Sequence, residues 1–308
     1  MTFSQTQNTD SPNLAQPSEN LESRADFTDL AHKNLKHKKR ENPPVHNFPL
    51  FLLGDSKITL KTLESSSIDL ILTSPPYDDL RDYKGFSFDF ETIASELLRV
   101  LKNGGVMVWI VGDSMQNGSE SLSSFKQALH FKDIGFKIHD TMIYQKNNFS
   151  NPSKTRYHQV FEYMFVLAKG SPKTFNPLKD RKNVYAGHTT FGENTTRNKD
   201  GTFTKQKKRV ISEFGMRHNI WKGNTSGQEN MCKNIKHPAT FPLWLARDHI
   251  KSWSNKGDIV LDPFCGSGTT GVACKMLGRE FIGCEIEKSY LDYAKERIKK
   301  VEVASGLF

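Results

Sequence analysis

Two short stretches contain residues whose types and order can do chemistry. The first, Thr73-Ser74-Pro75-Pro76-Tyr77, closes an apolar run. Consecutive prolines fix φ and remove two N–H donors. The backbone there offers carbonyl acceptors with little competing donation, beside the Ser74 hydroxyl and the aromatic face of Tyr77. Such a site suits a planar group whose amino hydrogens need acceptors and whose ring needs a stacking partner. Pro-Pro by itself favours the plainer reading, a rigid strand-to-loop exit that does no chemistry.

The second stretch is Val260-Leu261-Asp262-Pro263-Phe264-Cys265-Gly266-Ser267-Gly268-Thr269-Thr270. Its pattern reads as a strand ending at Asp262, a glycine-rich turn and a helix starting near Thr269. Gly266 and Gly268 let backbone approach a ligand at the carboxyl edge of a sheet. No Lys follows the second glycine, so this is not a phosphate P-loop, and the third glycine of the dinucleotide fingerprint is missing. A further strand, Phe281–Glu285, ends in an acid about 20 residues on, where a carboxylate can accept hydrogen bonds from ribose hydroxyls. The expected ligand contains a nucleoside and needs no pyrophosphate.

The elements that must position these residues follow from periodicity. Strands are expected at Phe51–Leu53, Ile68–Thr73, Val106–Val111, Phe136–Tyr144, His158–Ala168, Asp258–Asp262 and Glu280–Glu285. Helices are expected near Lys57–Leu63, Phe90–Leu101, Ser123–Ile134, Phe241–Trp253, Thr269–Leu277 and Ser289–Lys299, with Asn103-Gly104-Gly105 stopping the second. Val106–Val111 (VMVWIV) is apolar throughout, as in a parallel strand buried on both faces. Alternating strands and helices predict an α/β fold with a doubly wound, Rossmann-like sheet. Periodicity fails from Lys169 to about Trp221, which reads as an insertion.

The 308 residues leave ample interior for a core. A mean hydropathy of −0.58 indicates polar tail or loop as well. Residues 1–47 are rich in Ser, Asn, Gln and charge, with a basic run at Lys36–Arg40, and read as a disordered polar and basic tail. No apolar run is long enough for a membrane span, and the start lacks a basic-then-apolar signal pattern. Cys232, Cys265, Cys274 and Cys284 form neither a disulfide framework nor a zinc pattern. A soluble cytoplasmic protein of bacterial type, without a metal, is expected.

The net charge of +9 is unevenly placed. Gln145–His237 carries 18 Lys and Arg against 6 Asp and Glu, while the rest of the chain carries 25 against 28. One central segment therefore holds the whole excess, as a polyanion-binding region would.

Together the two motifs resemble the amino-methyltransferases of DNA that use S-adenosylmethionine. Ser74–Tyr77 looks like the family's catalytic tetrapeptide and Asp262–Thr270 like its cofactor loop. The catalytic motif comes first and a basic segment separates the two, which is similar to the circularly permuted group called beta. The resemblance covers roughly residues 48–302, the insertion apart. It implies catalysis by Ser74, Pro75, Pro76 and Tyr77. It also implies cofactor binding by Asp55, Thr73, His237, Pro238, Phe241, Asp262, Pro263, Phe264, Gly266, Ser267, Gly268, Thr269 and Glu285.

Methyl transfer to an exocyclic amino nitrogen follows, on a base flipped out of double-stranded DNA. Ser in the tetrapeptide's first position favours cytosine N4, with adenine N6 as the alternative. The chain lacks a Pro-Cys dipeptide of the kind used in cytosine carbon methylation, and Cys265 reads as a packing residue. The insertion, residues 171–217, is expected to recognise the target through Lys173, Lys179, Arg181, Lys182, Arg197, Lys205, Lys207, Lys208 and Arg209, interleaved with aromatics. It separates a catalytic half, 48–170, from a cofactor half, 218–308. A restriction–modification system is the implied context, with a cognate restriction endonuclease as partner. An RNA or protein amide methyltransferase and a non-catalytic nucleic-acid-binding module are the rival readings.

Overall fold

The computed structural model describes residues 48–76, 88–149, 152–190, 195–205, 208–225 and 242–302. The expected tail, 1–47, lies outside them. In chain order the elements are β1 (Leu50–Leu53), α1 (Ser56–Thr59, extended by a 3-10 turn Leu60–Thr62), β2 (Ile68–Thr73), α2 (Phe90–Val100) and β3 (Leu101–Val111). A small hairpin, β4 (Met115–Gln116) and β5 (Ser119–Glu120), precedes α3 (Ser123–Asp133), β6 (Lys137–Lys146) and β7 (Phe161–Ala168). Next come β8 (Arg181–Lys182), β9 (Thr195–Arg197), β10 (Phe203–Lys205), β11 (Phe214–Gly215) and β12 (Ile220–Gly223). The chain continues with α4 (Leu243–Trp253), β13 (Ile259–Asp262), α5 (Thr269–Leu277), β14 (Glu280–Glu285) and α6 (Lys288–Lys299).

Eight of these strands form one sheet in the order β1-β14-β13-β2-β3-β7-β6-β12. All neighbours pair in parallel except across β7, which runs antiparallel to both β3 and β6. Side chains alternate along β2 and β3 and feed a core on each face. Leu70, Leu72, Val106, Val108 and Ile110 pack with Leu245, Ile250, Val272 and Leu291 of α4, α5 and α6. Ile71, Met107, Trp109 and Val111 pack with Leu60, Ile93, Leu97 and Phe131 on the other side. Helices on both faces make the sheet doubly wound, as expected. No helix among the described residues is long and apolar enough to cross a membrane.

The course of the chain fixes where a ligand can sit. From β13 the chain crosses to β14 on one side, and from β2 it crosses to β3 on the other. Strand order therefore reverses between β13 and β2, and the crevice at their carboxyl ends is the binding position of such sheets. Asp262 and Thr73 are the last residues of those two strands.

Two features differ from expectation. Asn103-Gly104-Gly105 does not stop α2. The helix ends at Val100, the ψ of 133° at Leu101 turns the chain into β3, and the glycines lie within that strand. Gly104 has φ +88°, and the pairing with β2 slips between Ile68 and Leu70, so the glycines make a bulge. The strand β12 also escapes periodicity, because its four residues are placed by parallel pairing with Ile143–Lys146 of β6.

Candidate active site

The glycine turn leaves β13 under backbone control. Gly266 and Gly268 have φ +49° and +79°, a region that L side chains resist. A Cβ on Gly268 would also come 2.8 Å from the Ala294 Cβ, so α6 crosses the turn at glycine distance. The turn closes with Gly268 N–H donating to the Cys265 carbonyl at 2.7 Å, and α5 starts at Thr269. Arg297 of α6 holds it from outside. Its guanidinium donates to the Ser267 carbonyl (3.2 Å), the Ser267 hydroxyl (3.3 Å) and the Thr269 hydroxyl (3.1 Å). Arg297 was invisible to motif reading.

Glu285 ends β14 beside this turn. One carboxylate oxygen accepts from Gly266 N–H at 2.9 Å and the other from Glu287 N–H at 3.0 Å. Burial raises its pKa, while these backbone donors oppose the shift. Each carboxylate oxygen retains a lone pair after these bonds. On the far side Gly54 N–H donates to the Glu285 carbonyl at 2.9 Å, which brings the end of β1 to the same edge. Asp55 follows, and its Oδ1 caps α1 by accepting from Lys57 N–H at 2.9 Å. The Pro263 carbonyl accepts from the Ser56 hydroxyl.

Asp262 joins the two motifs. Its Oδ1 accepts from the Thr73 hydroxyl at 2.7 Å and from Phe264 N–H at 3.1 Å, and its Oδ2 accepts from the Thr270 hydroxyl at 2.6 Å. Burial raises its pKa to about 6 despite these donors. Ser74, half-buried, and Pro75, buried, continue directly from Thr73, so the acceptor stretch begins next to the glycine turn. Phe264 packs edge-on to Phe88 at 5.6 Å and Trp109 at 6.3 Å, which anchors the turn in the core. Cys265 is buried, and burial pushes its thiol well above the usual range, consistent with packing rather than nucleophilic chemistry. Tyr77, His237, Pro238, Phe241 and Lys207 lie outside the described residues.

The carboxyl edge also holds groups that no motif marks. Asp113, just past β3, is buried and accepts from the Ser124 N–H (2.9 Å) and hydroxyl (2.6 Å), which caps α3. Glu162, at the start of β7, pairs with Lys146 at the end of β6, 2.6 Å apart.

The predicted DNA-binding residues do not all come together. The described residues between 179 and 217 form a two-stranded arm. Its strands pair at β8 with β11, continue through the Thr189–Val210 bridge, and its β9–β10 hairpin pairs Thr195 with Lys205. Lys179, Lys182, Arg197, Lys205, Lys208 and Arg209 are exposed on it, and Arg181 is half-buried, its Nε donating to the Met216 carbonyl at 3.1 Å. Lys173 lies elsewhere, over Gly104 at the amino edge of the sheet, where it lines a cleft of about 160 Å³ with Asp69, Lys102 and Trp253. At the root of the arm Arg217 chelates Asp180 through Nε, donates to Asp248 of α4 at 2.8 Å and lies 4.8 Å over the Trp221 ring. Trp221 in turn stacks on His249 at 4.4 Å.

Comparison with known proteins agrees with this geometry. The family model described as DNA methylase matches residues 68–296. The orphan methyltransferase M.BamHII of Bacillus amyloliquefaciens is 53% identical over 236 residues, which cover 76% of this chain and 89% of that protein. The crystal structure of the M1.HpyAVI–SAM complex superposes with a TM-score of 0.53 at 26% identity, covering 80% of this chain and 98% of that one. The cytosine-N4-specific PvuII DNA methyltransferase shares the fold, with a TM-score of 0.58 at 19% identity, 83% of this chain and 91% of that one. The chain belongs to the N6/N4 DNA methylase family and is an S-adenosylmethionine-dependent DNA methyltransferase.

Proposed function

We propose that the protein methylates a specific site in double-stranded DNA, at the N4 amino group of a flipped cytosine. The Thr73–Asp262 hydrogen bond carries this reading, because it ties the strand that delivers Ser74 and Pro75 to the strand that delivers the glycine turn. A base amino group presented at Ser74 and a methyl donor seated in the turn would thus share one crevice. The turn fits a nucleoside cofactor: it has no Cβ at Gly266, and it sets a carboxylate, Glu285, against its backbone.

Bound S-adenosylmethionine supplies an electrophilic methyl group on a sulfonium. In this reading Gly266, Ser267, Gly268 and Thr269 line the cofactor, with Asp262, Pro263 and Phe264 shaping the turn and Thr73 tied to it. Glu285 meets the ribose, Asp55 lies near the adenine, and His237, Pro238 and Phe241 flank the methionine part. The exocyclic nitrogen is a poor nucleophile because its lone pair is delocalised into the ring. The Ser74 hydroxyl and the Pro75 carbonyl accept its hydrogens and raise its lone-pair density. Tyr77 stacks on the ring after Pro76 has fixed the turn. Holding base and methyl in line supplies much of the remaining acceleration. No covalent enzyme nucleophile is required.

The permuted motif order divides the chain into a catalytic half (48–170), a target-recognition insertion (171–217) and a cofactor half (218–308), with 1–47 as a polar tail. Ser74 supports cytosine N4 over adenine N6. A restriction–modification context with a cognate endonuclease is one setting. A solitary methyltransferase is the second, supported by the orphan designation of the relative that is 53% identical.

Labelled methyl incorporation from S-adenosylmethionine into duplex DNA, compared with RNA, tests the activity, and its absence from every DNA would overturn it. Sequencing the methylated DNA at single-base resolution tests the base. N6-methyladenine in place of N4-methylcytosine would reverse that assignment.

A further inference from the structure

The connection between β6 and β7 belongs to none of the motifs, yet it leaves the same edge of the sheet as they do. β6 ends there at Lys146, and antiparallel β7 starts there at Phe161. In the strand order β2-β3-β7 the loop springs two strand spacings, roughly 10 Å, from the strand that ends at Thr73. Its base is zipped shut. Lys146 N–H donates to the Val160 carbonyl at 2.6 Å, and the Phe149 and His158 rings lie 3.9 Å apart. Asn147 N–H donates to the Gly223 carbonyl at 3.2 Å, which ties the base to β12 as well.

The far part of the loop leans toward the catalytic strand. The Arg156 guanidinium donates to the Gly118 carbonyl and approaches the Met115 sulfur at 3.5 Å, both in the hairpin that continues β3. β3 is the neighbour of β2, with Trp109 opposite Thr73. Next to this tether, the Tyr157 side chain stands fully in solvent, at 101% relative exposure. From Lys146 to Gln159 the loop carries Lys146, Lys154 and Arg156 and no acidic residue.

A flexible polar loop would suffice to join two strands. This one spends a closed base and an arginine tether on holding an aromatic ring out in water, at the edge where DNA must arrive. We propose that Tyr157 is a wedge. It enters the duplex at the position vacated by the flipped base and stacks there against the orphaned partner base or its neighbours. Lys154 and Arg156 contact the flanking phosphates. A duplex with one base extruded has a planar gap and a strongly anionic rim. A ring with two rotatable bonds between cations complements both. The wedge is distinct from the groups that receive the extruded base and from the arm, and it rests on the methyltransferase reading above.

The test compares two duplexes containing the site found by methylation mapping, one fully paired and one with the target base opposite an abasic position. Tyr157→Ala should reduce kcat/KM on the paired duplex by on the order of 10- to 100-fold, the range expected for one lost base–aromatic stack. On the abasic-opposed duplex, where extrusion needs little help, its rate should fall within about threefold of wild type, the partner base that the ring would stack on being gone. Tyr157→Trp should retain activity on both. A fluorescent cytosine analogue that pairs with guanine, pyrrolocytosine, at the target position should brighten on binding wild type and much less on binding Tyr157→Ala. Equal losses on the two duplexes, or no loss on either, would refute the wedge while leaving the methyltransferase reading intact. Failure of the wild-type protein to methylate any duplex would bring down that reading and the wedge with it.

Discussion

At the carboxyl edge of the sheet Asp262 is held by Thr73, Thr270 and Phe264, and Glu285 by the backbone of Gly266 and Glu287. Along the arm the paired strands are only two or three residues long, and Val184, Tyr185, Phe203 and Val210 face solvent. The first region is over-determined, because each carboxylate is held by two or more donors from segments that pack on the core. The second is determined at its root, by Arg217. A site that must align a methyl group with a nitrogen tolerates little play. An element that meets a long polyanion gains affinity from charge with much looser geometry.

The contrast predicts that the smallest side-chain change in the turn should have the largest effect. Gly268→Ala forces a residue with a Cβ into φ +79° and sets that carbon 2.8 Å from the Ala294 Cβ. Left-handed strain of ~1–2 kcal/mol and overpacking of ~1–3 kcal/mol should together lower the unfolding free energy by about 2–5 kcal/mol. Calorimetry would read this as a fall in Tm, and titration as a loss of S-adenosylmethionine affinity. An unchanged Tm would mean that the turn is softer than its packing implies.

The pH dependence of Asp262 sharpens the same side of the comparison. Its folded-state pKa of about 6 lies above the ordinary value of 3.8, and burial is the main cause. The folded state therefore binds this proton more tightly than the unfolded chain. The group's contribution to stability is full below pH ~4 and is lost as pH rises through about 6. The stability of the wild type relative to Asp262→Asn should thus drop by up to ~3 kcal/mol between pH 4 and 7. Paired denaturant titrations at several pH values measure the difference, and a flat or rising one would contradict the buried, strained carboxylate.

A middling effect is expected where the two regions meet. Arg217→Ala leaves Asp248, only 9% exposed, with the longer Arg247 contact at 3.5 Å as its remaining ion pair, and Asp180 without its chelate. Because the arginine is partly exposed, a stability loss of only ~1–2 kcal/mol is expected. The functional signature should be an increase in KM for DNA with kcat little changed, since the arm loses its anchor while the switch point keeps its bonds. Combining it with Asp248→Asn should be less than additive. A fall in kcat alone would show that Arg217 supports the catalytic edge rather than the arm.

How much of this could be read from the residues depended on the range of the interactions. The turn after Asp262, the helix Thr269–Leu277 and the strand Glu280–Glu285 were legible because strand, glycines and helix follow one another locally. The Asn103–Gly105 stretch misled because a glycine pair signals a helix stop or a strand bulge equally well. Only pairing with β2 decides between them. Strand β12 and the Arg217 anchor were illegible for a stronger reason. Arg217 finds Asp180 and Asp248 at separations of 37 and 31 residues, in a stretch with no periodicity to reveal them. The basic excess of residues 145–237 drew attention to the arm, but charge could not tell its exposed cations from Lys173, which lies over Gly104 at the amino edge of the sheet.

The smallest expected effect is on the arm's outer hairpin, where Arg197 and Lys205 flank a turn on exposed strands. Nothing in the core depends on either side chain, so Arg197→Ala and Lys205→Ala should each change stability by less than ~0.5 kcal/mol. If each cation neutralises one phosphate, the slope of log K against log salt should become shallower by about 0.9 per substitution. The choice of sequence should survive the loss of a phosphate contact and relax at one position if the lost contact was to a base edge. Binding isotherms at several salt concentrations, on the mapped site and on scrambled DNA, separate these cases. An unchanged salt slope in both variants would place the hairpin off the DNA and shift the burden of recognition to the inner part of the arm, around Lys182, Lys208 and Arg209. The carboxyl edge of the sheet should be unaffected under either result, since Asp262 and Glu285 are held by Thr73, Thr270, Gly266 and Glu287, none of which lies in the hairpin.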